Sequence, residues 1–278
     1  MPEMTIATQE TRRKLNIADS CLSILDAGAG EAVLLGHSYL WDAEMWRPQI
    51  DALAHRHRVI VPELWGHGGS GHLPSGTGDL RDLARHHLSV MDRLGIDRFA
   101  VVGLSVGGMW GAELALLAPE RVTSLVLIGS FVGPEPEPSR QRYLELLRII
   151  EATPQLPEAV LDAVVPMFFA RDVGDRQPHL PRDFRARLQG WQRERLLDSV
   201  VPLGRMIFNR RDMLGEIGAL RMKCLVMAGQ EDISRPLAEA QIMAEAIGCP
   251  CIGIAGAGHI ASLEAPAAIN RQLLEVLP

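Results

Sequence analysis

The chain has 278 residues, 47% hydrophobic and 22% charged, and a formal charge of −6. That length suits one large α/β domain with room for an inserted subdomain and a substantial core. The acidic balance argues against nucleic acid as a partner, because no basic field offsets phosphate repulsion, and no stretch approaches the roughly 20 apolar residues of a membrane span.

Residues 1–25 mix polar and apolar side chains around Arg12, Arg13 and Lys14 and hold no apolar block suited to the core of a signal peptide. A cytoplasmic location is the expectation. Short runs rich in Val, Ile and Leu then alternate with longer amphipathic segments, the pattern of βα units around a mostly parallel sheet buried on both faces. Strands are predicted over residues 32–35, 58–62 and 99–103, with an earlier edge strand at 21–25. Helices are predicted over 46–55 and over 80–94, the latter stopping at Gly95. His55-Arg56-His57-Arg58, the most basic short stretch, leads into an apolar run and reads as the solvated start of a strand. Residues 106–117 are small and apolar almost all round and end before Pro119, as a buried helix would.

After a strand at 124–128 the rhythm breaks. Pro134-Glu135-Pro136-Glu137-Pro138 is linker chemistry, and clusters such as Met167-Phe168-Phe169 and Met206-Ile207-Phe208 read as helix after helix. Roughly 80 residues is too long for a plain crossover. Residues 133–212 are therefore expected to form a helical cap, or lid, with 1–132 and 213–278 as the core. Strands at 224–228 and 251–254 and helices at 237–247 and 267–277 complete the pattern. Cys21, Cys224, Cys249 and Cys251 show no metal-ligand spacing, so no metal is expected. No G-x-G-x-x-G follows a strand, and no nucleotide or flavin cofactor is expected either.

Gly103-Leu104-Ser105-Val106-Gly107 matches G-x-S-x-G and lies between a predicted strand and a predicted helix. That context is what the chemistry requires: a sharp, strained turn pushes the serine outward, and flanking glycines admit close backbone contact. A serine hydroxyl needs a neighbouring base, and the base needs a carboxylate to orient it. Gly229-Gln230-Glu231-Asp232 follows the strand at 224–228, and Ala255-Gly256-Ala257-Gly258-His259 follows the strand at 251–254. The order Ser, acid, His and the shared sheet edge both fit. Ser105, Asp232 and His259 are the candidate triad, with Glu231 the alternative acid. His67, in the loop after residue 62, is the other histidine able to approach the site.

With these motifs the sequence resembles the α/β-hydrolase superfamily, in particular its esterase, lactonase and cofactor-free haloperoxidase-like branch. The resemblance rests on Val33-Leu34-Leu35-Gly36-His37-Ser38 with Trp46, on Val61-Pro62-Glu63-Leu64-Trp65-Gly66-His67-Gly68-Gly69-Ser70, on the serine elbow leading to Ala118-Pro119-Glu120-Arg121-Val122, and on the two loops bearing Asp232 and His259. It implies an α/β-hydrolase fold, a mostly parallel sheet flanked by helices, with the helical cap inserted after the sixth strand. Relatives carry His-Gly after the third strand and use the next backbone N–H for the oxyanion. Here Gly36-His37-Ser38-Tyr39 stands in that place, which assigns the oxyanion hole to the N–H groups of Tyr39 and Val106, with Ser38 as the alternative to Tyr39. Leu104 replaces a common histidine and Glu63 a common aspartate. Dehalogenases and epoxide hydrolases of the superfamily carry aspartate at the elbow, so Ser105 counts against both.

The expected function is hydrolysis of a small-to-medium apolar carboxylic ester or lactone through an acyl-serine. Ser38, Trp41, Met109, Trp110, Phe131, Ile233 and Ile260 beside the loops, and Phe168 and Phe169 from the cap, are the candidate substrate pocket. The alternatives are C–C bond hydrolysis of a diketone-type substrate by the same triad, and a slow or non-catalytic ligand-binding member. Docking of an acyl-carrier protein, as in carrier-protein methyl ester esterases of the superfamily, is only weakly supported, because the cap's arginines are matched by nearly as many acids.

Overall fold

The computed structural model describes residues 10–153 and 155–278. The reading that residues 1–25 lack a signal-peptide core therefore lies, at residues 1–9, outside the described residues. The strands are β1 (Glu10–Ile17), β2 (Ser20–Gly28), β3 (Glu31–Gly36), β4 (His57–Pro62), β5 (Phe99–Leu104), β6 (Val122–Ile128), β7 (Lys223–Gly229) and β8 (Cys251–Ile254). They form one sheet in the order β1-β2-β4-β3-β5-β6-β7-β8. β2 pairs antiparallel with both β1 and β4, and every other neighbouring pair is parallel.

The central strands read as continuous apolar runs because both faces are covered. Successive side chains alternate between two cores, as the pleat dictates. Val33 and Leu35 of β3, Val102 of β5 and Val126 of β6 join one core, while Leu34, Val101 and Leu125 join the other. The first core is closed by α1 (Arg47–Leu53) and the C-terminal helix Pro266–Val276, through Ile50, Leu53, Ile269 and Leu273. The second is closed by α2 (Leu80–Arg93), α3 (Val106–Leu117) and the helix Leu237–Ile247. α2 begins where the Asp79 carboxylate accepts from the Asp82 N–H, a side-chain cap on the first turn.

Between β6 and β7 the described residues hold helices and no strand, including α4 (Glu137–Ala152), α5 (Glu158–Val164), α6 (His179–Gln189) and α7 (Val201–Phe208). Two differences from the sequence reading have simple causes. β1 was not foreseen, because ETRRKLNI is an edge strand with most side chains exposed and so lacks the buried period that marks β2. The helix predicted over 46–55 is shorter, because a 3-10 turn, Ala43–Trp46, capped by Asp42, occupies its approach and Pro48 fixes the first helical turn. No described helix is long and apolar enough to cross a membrane.

Candidate active site

The loops following β3, β4, β5, β7 and β8 all open at the carboxyl edge of the parallel sheet, which is why residues far apart in sequence converge there. Ser105 occupies the turn between β5 and α3 with φ 57° and ψ −121°, a region that L-residues enter only under constraint. The constraint is packing. A Cβ on Gly107 would lie 2.1 Å from the Gly36 oxygen, and one on Gly103 would lie 2.3 Å from the Gly107 backbone. The turn is tied to β6 by Ser105 N–H donating to the Ile128 carbonyl at 2.9 Å, and by the Ser130 hydroxyl donating to the Ser105 carbonyl at 2.7 Å.

Asp232 is buried at the end of the β7 loop. Its Oδ1 accepts from the backbone N–H groups of Ser234 at 2.9 Å and Arg235 at 2.8 Å, while Oδ2 meets His259 Nδ1 at 2.8 Å. The carboxylate is thus held on three sides, and the His259 ring is left with Nε2 as its second working nitrogen. Ser105 and His259 line the same cavity. Glu231, the alternative acid, is exposed.

The loop after β3, to which the sequence assigns an oxyanion donor, is equally well defined. Ser38 N–H donates to Met45 Sδ at 3.2 Å and Leu40 N–H donates to His67 Nε2 at 3.1 Å. That leaves Tyr39 N–H, the donor assigned from sequence, as the one between them without a bonded acceptor among the described residues. The Ser38 carbonyl is bonded by His37 Nδ1 at 2.8 Å and by Trp41 N–H at 3.2 Å. Because a trans peptide points its N–H opposite its carbonyl, these two bonds set the direction of Tyr39 N–H. Val106 N–H, the other assigned donor, is at the first turn of α3, where helix N–H groups are unpaired and the dipole favours negative charge.

The cavity encloses about 110 Å³. On a scale where one water needs roughly 10–15 Å³, this is space for a small organic group. Of the pocket residues expected from sequence, Ser38, Met109 and Phe168 line it, together with Tyr39. The remaining six lie elsewhere. Trp41 stacks on Phe184 at 4.5 Å and, with Phe169, forms an aromatic core between the sheet loops and the helical segment. Phe131 lies under the Arg210 guanidinium. Ile260 is fully buried in the first core, and Ile233 is 66% exposed. Proximity in sequence to a catalytic loop fixed none of these directions. In their place α4 supplies Leu146, Leu147 and Ile150, and Leu188, Trp191 and Leu196 close the wall.

Trp110, the sixth, lies on α3 and packs face to face with His87 of α2 at 3.9 Å. Burial pushes the His87 imidazole down to about 3, against an ordinary value near 6.5. The unfolded chain therefore takes up a proton below pH 6.5 that the folded chain refuses, and stability is lost as pH falls towards 3. His87→Phe keeps the ring stack and removes the titration. In urea unfolding at pH 7.5, 6 and 5, the wild type is expected to lose more stability than this variant, on the order of 1 kcal/mol between pH 6 and 5 and less than that between pH 7.5 and 6. Parallel pH dependences would refute the assignment.

Sequence reasoning missed two groups at the site. Glu264, buried, accepts from Gly258 N–H and Ala170 N–H, both at 2.9 Å, and so joins the His259 loop to the helical segment; burial raises its carboxyl to about 7. Glu135 bridges Arg210, at 2.7 Å, and Arg235, all three buried. It thereby ties both ends of the helical segment to the loop of Asp232. The Pro-Glu-Pro-Glu-Pro run signals a linker but gives no sign of these partners.

The family model described as alpha/beta hydrolase fold matches residues 31–266. The chain belongs to the α/β-hydrolase family. Among related α/β-hydrolases, a putative carbamate hydrolase RutD of Azorhizobium caulinodans is 42% identical over 104 residues, covering 37% of this chain and 39% of that protein. The putative carbamate hydrolase RutD of Variovorax paradoxus is 29% identical over 259 residues, covering 89% and 92%. Among solved α/β-hydrolase structures, a thermophilic esterase from Thermogutta terrifontis superposes with a TM-score of 0.84 at 24% identity, covering 95% of this chain and 97% of that one.

Proposed function

We propose that this α/β-hydrolase cleaves a small-to-medium apolar carboxylic ester or lactone through an acyl-serine intermediate. One observation carries the reading: Ser105 and an Asp232-bonded His259 face the same cavity, whose walls are otherwise largely aliphatic and aromatic. His259 Nε2 takes the Ser105 proton as Oγ attacks the carbonyl carbon. The resulting oxyanion is stabilised by Tyr39 N–H and Val106 N–H. Collapse of the tetrahedral intermediate breaks the ester C–O bond, and the departing alkoxide takes the proton from His259. Water, deprotonated by the same nitrogen, then releases the acid. Asp232 holds the ring in the Nδ1–H form and stabilises its cation. The helices between β6 and β7 act as the cap, supplying the acyl wall through α4.

The test is a panel of p-nitrophenyl esters from acetate to decanoate. A burst of one nitrophenol per enzyme and a maximum in kcat/KM at intermediate chain length are expected. The relatives named carbamate hydrolases motivate a second reading, cleavage of a carbamate. A carbamate is small and polar, whereas the α4 wall of Leu146, Leu147 and Ile150 is apolar. Among the described residues, beyond the triad only Ser38, Glu135, Tyr143, Ser234 and Arg235 bring polar side chains to the cavity, with Tyr39. Carbamate turnover with every nitrophenyl ester left intact would overturn the ester reading.

A further inference from the structure

His67 is a completely buried histidine on the β4 loop that takes no part in the chemistry just described. Its Nδ1 is 2.8 Å from the Trp65 carbonyl, which can only accept, so the proton is on Nδ1 and Nε2 carries a lone pair. That lone pair accepts the Leu40 N–H at 3.1 Å. Leu40 has φ 70°, a left-handed conformation that a branched side chain adopts only when the surroundings impose it. The imposed turn immediately follows Tyr39, whose N–H is the proposed oxyanion donor. The imidazole also packs against the Tyr39 ring at 5.6 Å and meets the edge of Trp191, from the helical segment, at 4.9 Å.

We infer that His67 is a positioning residue for the oxyanion hole: its Nε2 holds the Leu40 turn that aims Tyr39 N–H, and its ring rests on Trp191 of the cap. The inference rests on the acyl-serine reading and extends it to a loop that carries none of the triad. Burial, with smaller contributions from His37, Arg195 and Arg187, pushes the His67 imidazole down to about 3, so Nε2 remains an acceptor at neutral pH. The protonated ring would lose that lone pair and turn a donor towards the Leu40 N–H.

Two substitutions separate the acceptor from the ring. His67→Phe keeps an aromatic between Tyr39 and Trp191 and removes the acceptor. His67→Gln loses the ring and keeps an acceptor at the reach of Nε2. For a good nitrophenyl ester, His67→Phe is expected to lower kcat about 10- to 100-fold with KM within threefold, since a misaimed oxyanion donor acts on the transition state. Its rate of labelling by a fluorophosphonate should fall in parallel, while His67→Gln stays within about fivefold of wild type on both measures. Wild-type kcat in His67→Phe, or an equal loss in both variants, would overturn the inference. A wild-type 15N spectrum of the histidines gives a reading that needs no variant to fold: Nε2 of His67 should be unprotonated from pH 5 to 8, and a proton there would overturn the inference. Wild-type protein that resists the fluorophosphonate altogether would instead remove the acyl-serine reading itself.

Discussion

Ser105→Ala is expected to lower ester turnover by about 10⁵- to 10⁶-fold, the scale on which loss of the nucleophile disables a serine triad. The burst of nitrophenol should vanish with it, because no acyl-enzyme forms. The variant should still fold. The Ser105 hydroxyl caps nothing at the start of α3, and the bonds that fix the turn come from its backbone N–H and carbonyl. Alanine keeps the Cβ that φ 57° already accommodates, so the strain is unchanged. Unfolding should therefore match wild type within about 0.5 kcal/mol, as for substitutions that break no packing or polar contact. Retention of even one per cent of wild-type turnover by a folded Ser105→Ala protein would show that Ser105 does not carry the covalent step.

The frame around that serine was legible because its physics is local. A buried parallel strand must be apolar, a strand-to-helix elbow must be tight, and both leave marks within a few residues, as in Phe99–Leu104 followed by Ser105. The loops that carry Asp232 and His259 are legible by the same means, since each follows an apolar strand by a few positions. What escaped was set by contacts between distant segments. Trp41 turns to Phe184 and Trp110 to His87, and neither partner can be inferred from neighbours in sequence. The Glu135 bridge unites residues 75 and 100 positions apart. β1 escaped for the opposite reason, because an edge strand in water needs no apolar pattern at all.

Asp232→Asn tests the acid with less room for compensation than its near-isosteric change suggests. Oδ1 already accepts from the N–H groups of Ser234 and Arg235, so the amide oxygen of asparagine must take that side. Its NH₂ then replaces Oδ2 beside His259 Nδ1, where the carboxylate now lies at 2.8 Å. A donor there forces Nδ1 to accept, which moves the ring proton to Nε2, the nitrogen proposed to receive the Ser105 proton. The wrong tautomer, rather than a lost contact, is the defect. A fall in kcat of about 10⁴-fold is expected, as a neutral amide at this position costs other serine triads. Glu231→Gln should leave kcat within twofold, because that carboxylate is exposed and faces water. Near-full activity in Asp232→Asn together with a large loss in Glu231→Gln would reverse the two roles. Losses in both would mean that the loop, held through Arg235 by Glu135, responds as a unit to any charge removed from it.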